Sequence, residues 1–187
     1  AHLSLAFFLG AYVLWWILDL RSTPNDAGHR RTDCYVFLGL LCLQIVYGAF
    51  MAGTRAGYMY QSFPLLNGSL IPQGAWIDVV GWINLSDNRE LINVIHRWLS
   101  IALAGLGFSI VLRRLRWANL SRHLKIAAYT FLGALLLQVG LGIFTAAMHI
   151  PVSLGAAHQL LAFGLLSASL WLHHAHMRHP VDVNGTP

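Results

Sequence analysis

Apolar residues along the chain are grouped into five long runs. The runs cover residues 3–18, 34–53, 91–112, 126–147 and 152–172. A helix needs about 20 mostly apolar residues to cross the hydrocarbon of a membrane. The pattern therefore predicts five transmembrane helices. The first is short for a span, and the third qualifies only if His96 and Arg97 are tolerated near its start.

The composition agrees with a chain that is largely surrounded by lipid. Hydrophobic residues make up 57% of the 187 residues, and charged residues make up only 10%. Soluble domains carry about 25% charged residues. We therefore expect an all-α, polytopic membrane protein. The net charge of +5 resides in short connections between apolar runs, so it does not predict a nucleic-acid partner.

The distribution of lysine and arginine predicts the orientation in the membrane. Basic residues cluster in the first and third connections, as Arg21, Arg30, Arg31, Arg113, Arg114, Arg116, Arg122 and Lys125. Residues 54–90 carry only two arginines against three acidic residues. The positive-inside rule therefore puts the basic connections on the cytoplasmic or matrix side and residues 54–90 on the opposite, outer side. His2, His96 and His158 then share one depth near the outer face.

The remaining boundaries follow from the ends of the apolar runs. The chain starts directly in an apolar run, without a methionine or a basic leader. We expect residues 1–20 to be the last helix of an absent N-terminal bundle, residues 21–33 to be a loop, and residues 34–172 to form a four-helix bundle. Residues 173–187 are expected to be a solvated, histidine-rich tail, with metal binding as the alternative. Cys34 and Cys42 are expected to be buried thiols.

Two parts of the bundle repeat each other. The octapeptides LQIVYGAF and LQVGLGIF align without gaps, which pairs Gln44 with Gln138 and Gly48 with Gly142. Each is followed by another helix that carries a histidine near its outer end, in HRWL or HQLL. The repeat predicts an antiparallel four-helix bundle with pseudo-twofold symmetry.

The histidines of the repeat, His96 and His158, are the candidate ligands of a metal. Two imidazoles on related helices can face each other across a bundle core and bind the iron of a heme from both sides. Zinc normally takes three or four protein ligands, so a single pair suits it poorly. Hydrogen bonding between helices is the alternative role for both. His149 is a rival ligand that has no counterpart in the other repeat.

Three further polar residues are candidates for contact with the cofactor. Arg97 either pairs with a heme propionate or extends to lipid headgroups. Gln44 and Gln138 either hydrogen-bond around the cofactor or bridge helices. The aromatic residues of the outer connection either lie at the membrane interface or cover a site: Tyr58, Tyr60, Phe63, Trp76 and Trp82.

Several segments resemble the heme A synthase family. They are AHLSLAFF, LQIVYGAFMAGTRAGYMYQSFPLLNGSLIP, LINVIHRWLS and LLQVGLGIFTAAMHIPVSLGAAHQLLAF, in the same order as in that family. The second contains the specific signature AG-x-x-AG, followed by an aromatic residue and then Phe-Pro. The resemblance covers nearly the whole chain apart from the polar tail.

The resemblance implies a fold and a set of site residues. Full-length members have eight membrane helices in two related bundles, and residues 34–172 correspond to the second bundle, which holds heme b. His96 and His158 match the axial iron ligands of that bundle. His2 matches a histidine of the first, substrate-binding bundle, where the C8 methyl group of heme O is oxidised to the formyl group of heme A for the terminal oxidase. Such a protein is a multi-pass oxidoreductase of a bacterial or mitochondrial inner membrane, with the heme near the periplasmic or intermembrane-space face.

The chain departs from the family pattern in ways that bear on activity. It lacks the first three helices and their Glu-x-x-His-Arg motif, and it has Asn93 where the carboxylate of that motif would stand. The outer connection lacks the cysteine pair that some members carry. We therefore expect the parent protein to be the enzyme and this chain alone to be inactive. The implied partners are heme O (mainly through the missing half), heme O synthase, an electron acceptor, the lipid membrane and a second copy.

Two other functions remain open from the sequence. The bundle could be a self-contained b-type cytochrome that transfers electrons without oxidising a substrate. It could also be a structural membrane subunit without a cofactor, in which case the pairing of the histidines is accidental.

Overall fold

All five predicted spans are helical in a computed structural model, which describes residues 2–20, 32–116 and 120–177. The helices are α1 (His2–Leu20), α2 (Thr32–Gly53), α3 (Asn84–Asp87), α4 (Arg89–Leu115), α5 (Arg122–Ala147) and α6 (Val152–Met177). Five of them are long and apolar enough to cross a membrane, and α3 is a short helix in the long connection. The described ranges contain no strand, only an isolated bridge between Leu66 and Ser69. The all-α, polytopic architecture is confirmed.

The helices extend beyond the apolar runs because polar residues cap and continue them. The side chain of Asn88 accepts hydrogen bonds from the backbone N–H groups of Glu90 and Leu91, which starts α4 before the run begins. Ser121 caps α5 in the same way through the backbone N–H of Leu124. An apolar run marks the part of a helix that contacts hydrocarbon, whereas the caps decide where the helix ends.

The last four long helices form the predicted bundle. Neighbouring pairs are α2–α4, α4–α5, α5–α6 and α6–α2, so α4 and α6 are diagonally opposed. The core between them is apolar and includes Phe37, Leu103, Phe131 and Leu166. Gly107 allows α4 and α5 to approach closely, because a Cβ there would lie 2.6 Å from a methyl carbon of Leu135.

Helix α1 packs on the outside of this bundle, against α6 and α2. Phe7 and Phe163 meet edge to face with ring centroids 5.4 Å apart. At Gly10 a Cβ would lie 2.7 Å from the Phe163 ring, so the close approach of the two helices requires glycine there. That α1 is the last helix of another bundle stays a prediction.

An ion pair between the buried Arg114 and the partly exposed Asp33 joins α2 and α4 at the end of the bundle that carries most of the described arginines, here called the arginine end. Arg114 is 1% exposed and donates from Nη2 to Asp33 at 3.2 Å and to Cys34 Sγ at 2.9 Å. Its Nη1 donates to the carbonyl of Ile110 at 3.1 Å. Cys34 and Cys42 are both free thiols; Cys34 is buried, as expected, whereas Cys42 is only partly buried.

The expectation of a solvated tail from residue 173 onward is wrong for residues 173–176. His173, His174 and His176 lie in α6 and are buried. The helix continues past the apolar run because aromatic rings of α1 and α2 cover the imidazoles: Trp15 meets His174 at 5.5 Å and Tyr35 meets His173 at 4.4 Å. Other residues of the predicted tail and first loop lie outside the described residues, among them Arg21, Arg30, Arg31, Arg178 and His179.

Candidate functional site

A cavity of about 540 Å³ opens inside the bundle, in the half toward the long connection. This volume lies within the range of about 300–1,000 Å³ that small-molecule sites occupy. His96 and His158 both line the cavity, and so do Gln44 and Gln138. Because α4 and α6 are diagonally opposed, the two imidazoles enter from opposite corners of the bundle, while the glutamines come from the other diagonal, α2 and α5.

Each histidine is paired with the glutamine of its own repeat. The Gln44 amide nitrogen lies 3.1 Å from Nδ1 and 3.3 Å from Nε2 of His96, and it donates to the His96 backbone carbonyl at 3.1 Å. The Gln138 amide nitrogen lies 3.3 Å from Nε2 of His158. In both glutamines the Oε1 atom is buried without a hydrogen-bond partner in the described residues. The glutamines therefore orient the imidazoles and retain unused acceptors.

A glycine one turn after each glutamine makes room for the imidazole. A Cβ at Gly48 would lie 3.6 Å from Cε1 of His96, which is ordinary contact. A Cβ at Gly142 would lie 2.9 Å from Cε1 of His158, which is too close. The sequence repeat is thus also a repeat of geometry, in which glutamine, glycine and histidine occupy matching places.

The structure gives Arg97 a role that the sequence did not predict. Its side chain is largely buried and donates to the backbone carbonyls of Tyr60, Ser62 and Leu65. Although Arg97 also lines the cavity, its terminal nitrogens hold the long connection against α4 rather than extending to headgroups. The repeat contained a signal for this role. The connection before α4 is long and α4 has Arg97, whereas the connection before α6 is short and α6 has Gln159 at the matching position.

The aromatic residues of the long connection divide into two groups. Tyr58, Tyr60 and Phe63 line the cavity. Burial, with the neighbouring Glu90 carboxylate, raises the pKa of the Tyr60 phenol. Trp76 and Trp82 do not line the cavity and pack edge to face on each other, with centroids 6.3 Å apart. The first group therefore covers the site, and the second does not.

Two cavity residues were not predicted to contact a cofactor. Asn93 is buried, its amide nitrogen donates to the Ala56 carbonyl at 3.0 Å, and its Oδ1 has no partner in the described residues. Arg55 is exposed at the mouth of the cavity, with a left-handed backbone at φ 58°. The sequence signal for Arg55 as a site residue was its position inside the AG-x-x-AG signature. His149 and His2 are exposed and do not line the cavity.

Comparisons with known proteins identify a matching family. The profile of the family described as cytochrome oxidase assembly protein, COX15-CtaA, matches residues 1–170. The chain is similar to the heme A synthase of Rhodospirillum centenum, with 34% identity over 92% of this chain and 47% of that protein. The heme A synthases of Wolbachia pipientis wMel and Bradyrhizobium sp. BTAi1 are 31% and 35% identical over 91% and 89% of this chain and 48% of each relative. The chain spans about half the length of the curated relatives it matches. No solved structure matches it.

Proposed function

Because the chain belongs to the COX15-CtaA family of cytochrome oxidase assembly proteins, we propose that its bundle binds heme b, with His96 and His158 as the two axial ligands of the iron. The observation that carries the proposal is the arrangement of the imidazoles. They project from diagonally opposed helices, at matching positions of a repeat, into one cavity. Bundles hold cofactors through side chains that project inward from facing helices.

The residues around the cavity fit such a group. The walls are mostly apolar, and Leu3 and Phe7 of α1 contribute to them. Gly142 leaves room for the imidazole of His158 beside the cavity. Nδ1 of His158 and Oε1 of Gln138 are buried without partners in the described part of the chain. Unsatisfied buried polar atoms cost free energy, so their presence around one cavity supports the binding of a ligand there.

The protein would bind, orient and shield the group. The heme supplies one-electron redox chemistry when bound, and the histidine ligands influence its potential. When one imidazole nitrogen of His96 binds the iron, the other carries a proton and donates; the Oε1 atom of Gln44, a buried acceptor beside this ring, would accept that hydrogen bond and so orient the ligating imidazole. Arg55 adds an exposed positive charge at the mouth, where it could pair with a propionate. Tyr58 and Phe63 reduce access of water from the same side.

We further propose that the chain is the heme b half of a heme A synthase, an oxidoreductase that converts the C8 methyl of heme O to a formyl group. The names of the relatives support this activity. Heme O would bind mainly to the other half, to which His2 would belong, so the chain alone is expected to lack activity. The lysine and arginine distribution supports a heme site near the periplasmic or intermembrane-space face.

The first experiment is reconstitution of the purified chain with hemin in detergent. A sharp α-band in the reduced-minus-oxidised spectrum, typical of low-spin heme with two histidine ligands, is the expected result. A chain that remains colourless would overturn heme binding and favour a structural subunit. The coding sequence upstream of Ala1 separates the enzyme from the b-type cytochrome: a membrane helix with Glu-x-x-His-Arg supports the enzyme, and its absence from the gene supports the cytochrome.

A further inference from the structure

Part of the long connection runs down the side of α4. Residues 60–71, here called the descending segment, direct four backbone carbonyls at two neighbouring side chains of α4. Arg97 binds the carbonyls of residues 60, 62 and 65, and the indole N–H of Trp98 donates to the carbonyl of Leu70 at 3.0 Å. The segment therefore lies beside the third turn of α4 and not only beyond its end.

The depth of this contact in the membrane follows from the number of residues along α2 and α4. Arg114 pairs with Asp33, so α2 and α4 share a level at the arginine end. From there about 20 residues cross the roughly 30 Å of hydrocarbon, which places the opposite boundary near Gly53 and Asn93. A hydrogen bond from Asn93 to the Ala56 carbonyl confirms that these parts of the two helices share a level.

Trp98 lies beyond that boundary, inside the membrane. It follows Asn93 by five residues, which is about 8 Å along the helix axis. Helical side chains tilt toward the N-terminus, so the indole nitrogen lies a few ångströms closer to the boundary than its Cα atom. The Leu70 carbonyl is therefore at the level where headgroups meet acyl chains.

Six carbonyls of the descending segment accept hydrogen bonds within the chain, and two apolar side chains face outward. Irregular backbone is tolerated at membrane depth only where its polar groups are satisfied by protein or water. Besides the four carbonyls, Leu66 and Ser69 exchange two backbone hydrogen bonds, of 2.9 and 3.1 Å. By contrast, the side chains of Leu70 and Ile71 are turned outward, 59% and 66% exposed.

We propose that the descending segment is re-entrant and inserts Leu70 and Ile71 into the lipid leaflet at this end of the bundle. Lipid is the occupant because the residue counts place Leu70 beside Trp98, at the level where headgroups meet acyl chains. The inference does not depend on heme binding.

Nitroxide labels in phosphatidylcholine vesicles test the proposal. In a Cys34→Ser, Cys42→Ser background, a label on Ile71→Cys is compared with one on Asn67→Cys, a polar, exposed residue of the same segment. A nitroxide in lipid collides often with dissolved oxygen and rarely with a water-soluble nickel chelate. We expect the oxygen-to-nickel collision ratio to be several-fold higher at position 71 than at position 67.

Two results would overturn the proposal. Equal ratios at the two positions would place Ile71 in water or in the headgroups, and protection of position 71 from both reagents would show that protein covers it. Leu70→Cys repeats the measurement at the neighbouring exposed side chain and replaces Ile71→Cys if that variant does not fold. The hemin spectrum of each labelled variant reports separately on the bundle, so failure of heme binding is distinguishable from failure of insertion.

Discussion

Gly142 lies so close to His158 that a Cβ at this position would be 2.9 Å from Cε1 of the imidazole. At the matching position of the other repeat, Gly48, the distance to His96 would be 3.6 Å. Gly142→Ala is therefore expected to displace the ring of His158 and to weaken hemin binding about tenfold, equivalent to about 1.4 kcal/mol. Gly48→Ala is expected to bind hemin like the parent chain. Spectroscopic hemin titration of the two variants gives the comparison.

Comparison of Gly142→Ala with Gly48→Ala controls for the effect of alanine on the stability of the helix itself. Alanine favours helix over glycine by about 1 kcal/mol at both sites, so a loss at position 142 alone cannot come from a weaker helix. Equal affinities for the two variants would mean that the imidazole of His158 is not constrained by α5.

Removal of either proposed axial ligand should abolish the six-coordinate spectrum. His96→Ala or His158→Ala leaves the iron with one protein ligand, so a five-coordinate or absent heme signal is expected in the visible spectrum. His149→Ala is the control because His149 is exposed and lies outside the cavity lining. An unchanged low-spin spectrum in either ligand variant would contradict the assignment.

The fold was predictable where the sequence contains a continuous apolar run or a repeated motif. The apolar runs predicted five spans, and the gapless match of Gln44 with Gln138 pointed to a repeat that the structure shows as paired glutamine–histidine contacts. Helix ends were less predictable, because caps such as Asn88 act through hydrogen bonds and not through hydropathy. The histidines after residue 172 look polar in sequence, but aromatic rings from two other helices bury them.

The site was predictable only in part for a similar reason. A histidine pair at matching positions can be found by alignment, whereas the partners of Arg97 are backbone carbonyls, which every residue has. Only the path of the chain shows which carbonyls meet the guanidinium. The roles proposed for the cavity residues remain predictions, which hemin titration of the variants tests.

Arg97→Gln is expected to release the descending segment from α4. A glutamine amide cannot reach three separate carbonyls, and each buried acceptor left unpaired costs about 1–3 kcal/mol. Limited proteolysis within residues 60–71 should become at least about tenfold faster, since the loss of one such contact already suffices for this and each 1.4 kcal/mol changes the open population tenfold.

Arg89→Gln is the matched control for this change. Arg89 donates to one carbonyl of the same connection, that of Arg55, at 2.8 Å, and the contact is exposed. Cleavage within residues 60–71 should be nearly unchanged. If both variants are cleaved at the parent rate, Arg97 does not hold the segment.

Adjacent arginines at the arginine end should differ in their contribution to stability. Arg114→Met removes a buried guanidinium that donates to the partly exposed Asp33, which we expect to lower the free energy of unfolding by about 1–3 kcal/mol. Arg113→Met removes a contact of 3.4 Å from a side chain that is 57% exposed, so a loss of about 0–1 kcal/mol is expected. Unfolding of both variants in mixed micelles with increasing denaturing detergent compares them. Similar losses of unfolding free energy in the two variants would show that burial of Arg114 does not strengthen its ion pair with Asp33.

The unequal lengths of the helices determine how the protein responds to bilayer thickness. Over the described residues, helix α2 covers 22 residues, or about 33 Å, whereas α4, α5 and α6 cover 26 or 27 residues, or about 40 Å. The longer helices can accommodate a thicker membrane, while α2 already matches the roughly 30 Å of an average one. A thicker bilayer would therefore be accommodated first by local thinning of the lipid around α2, the helix that carries Gln44 and Gly48.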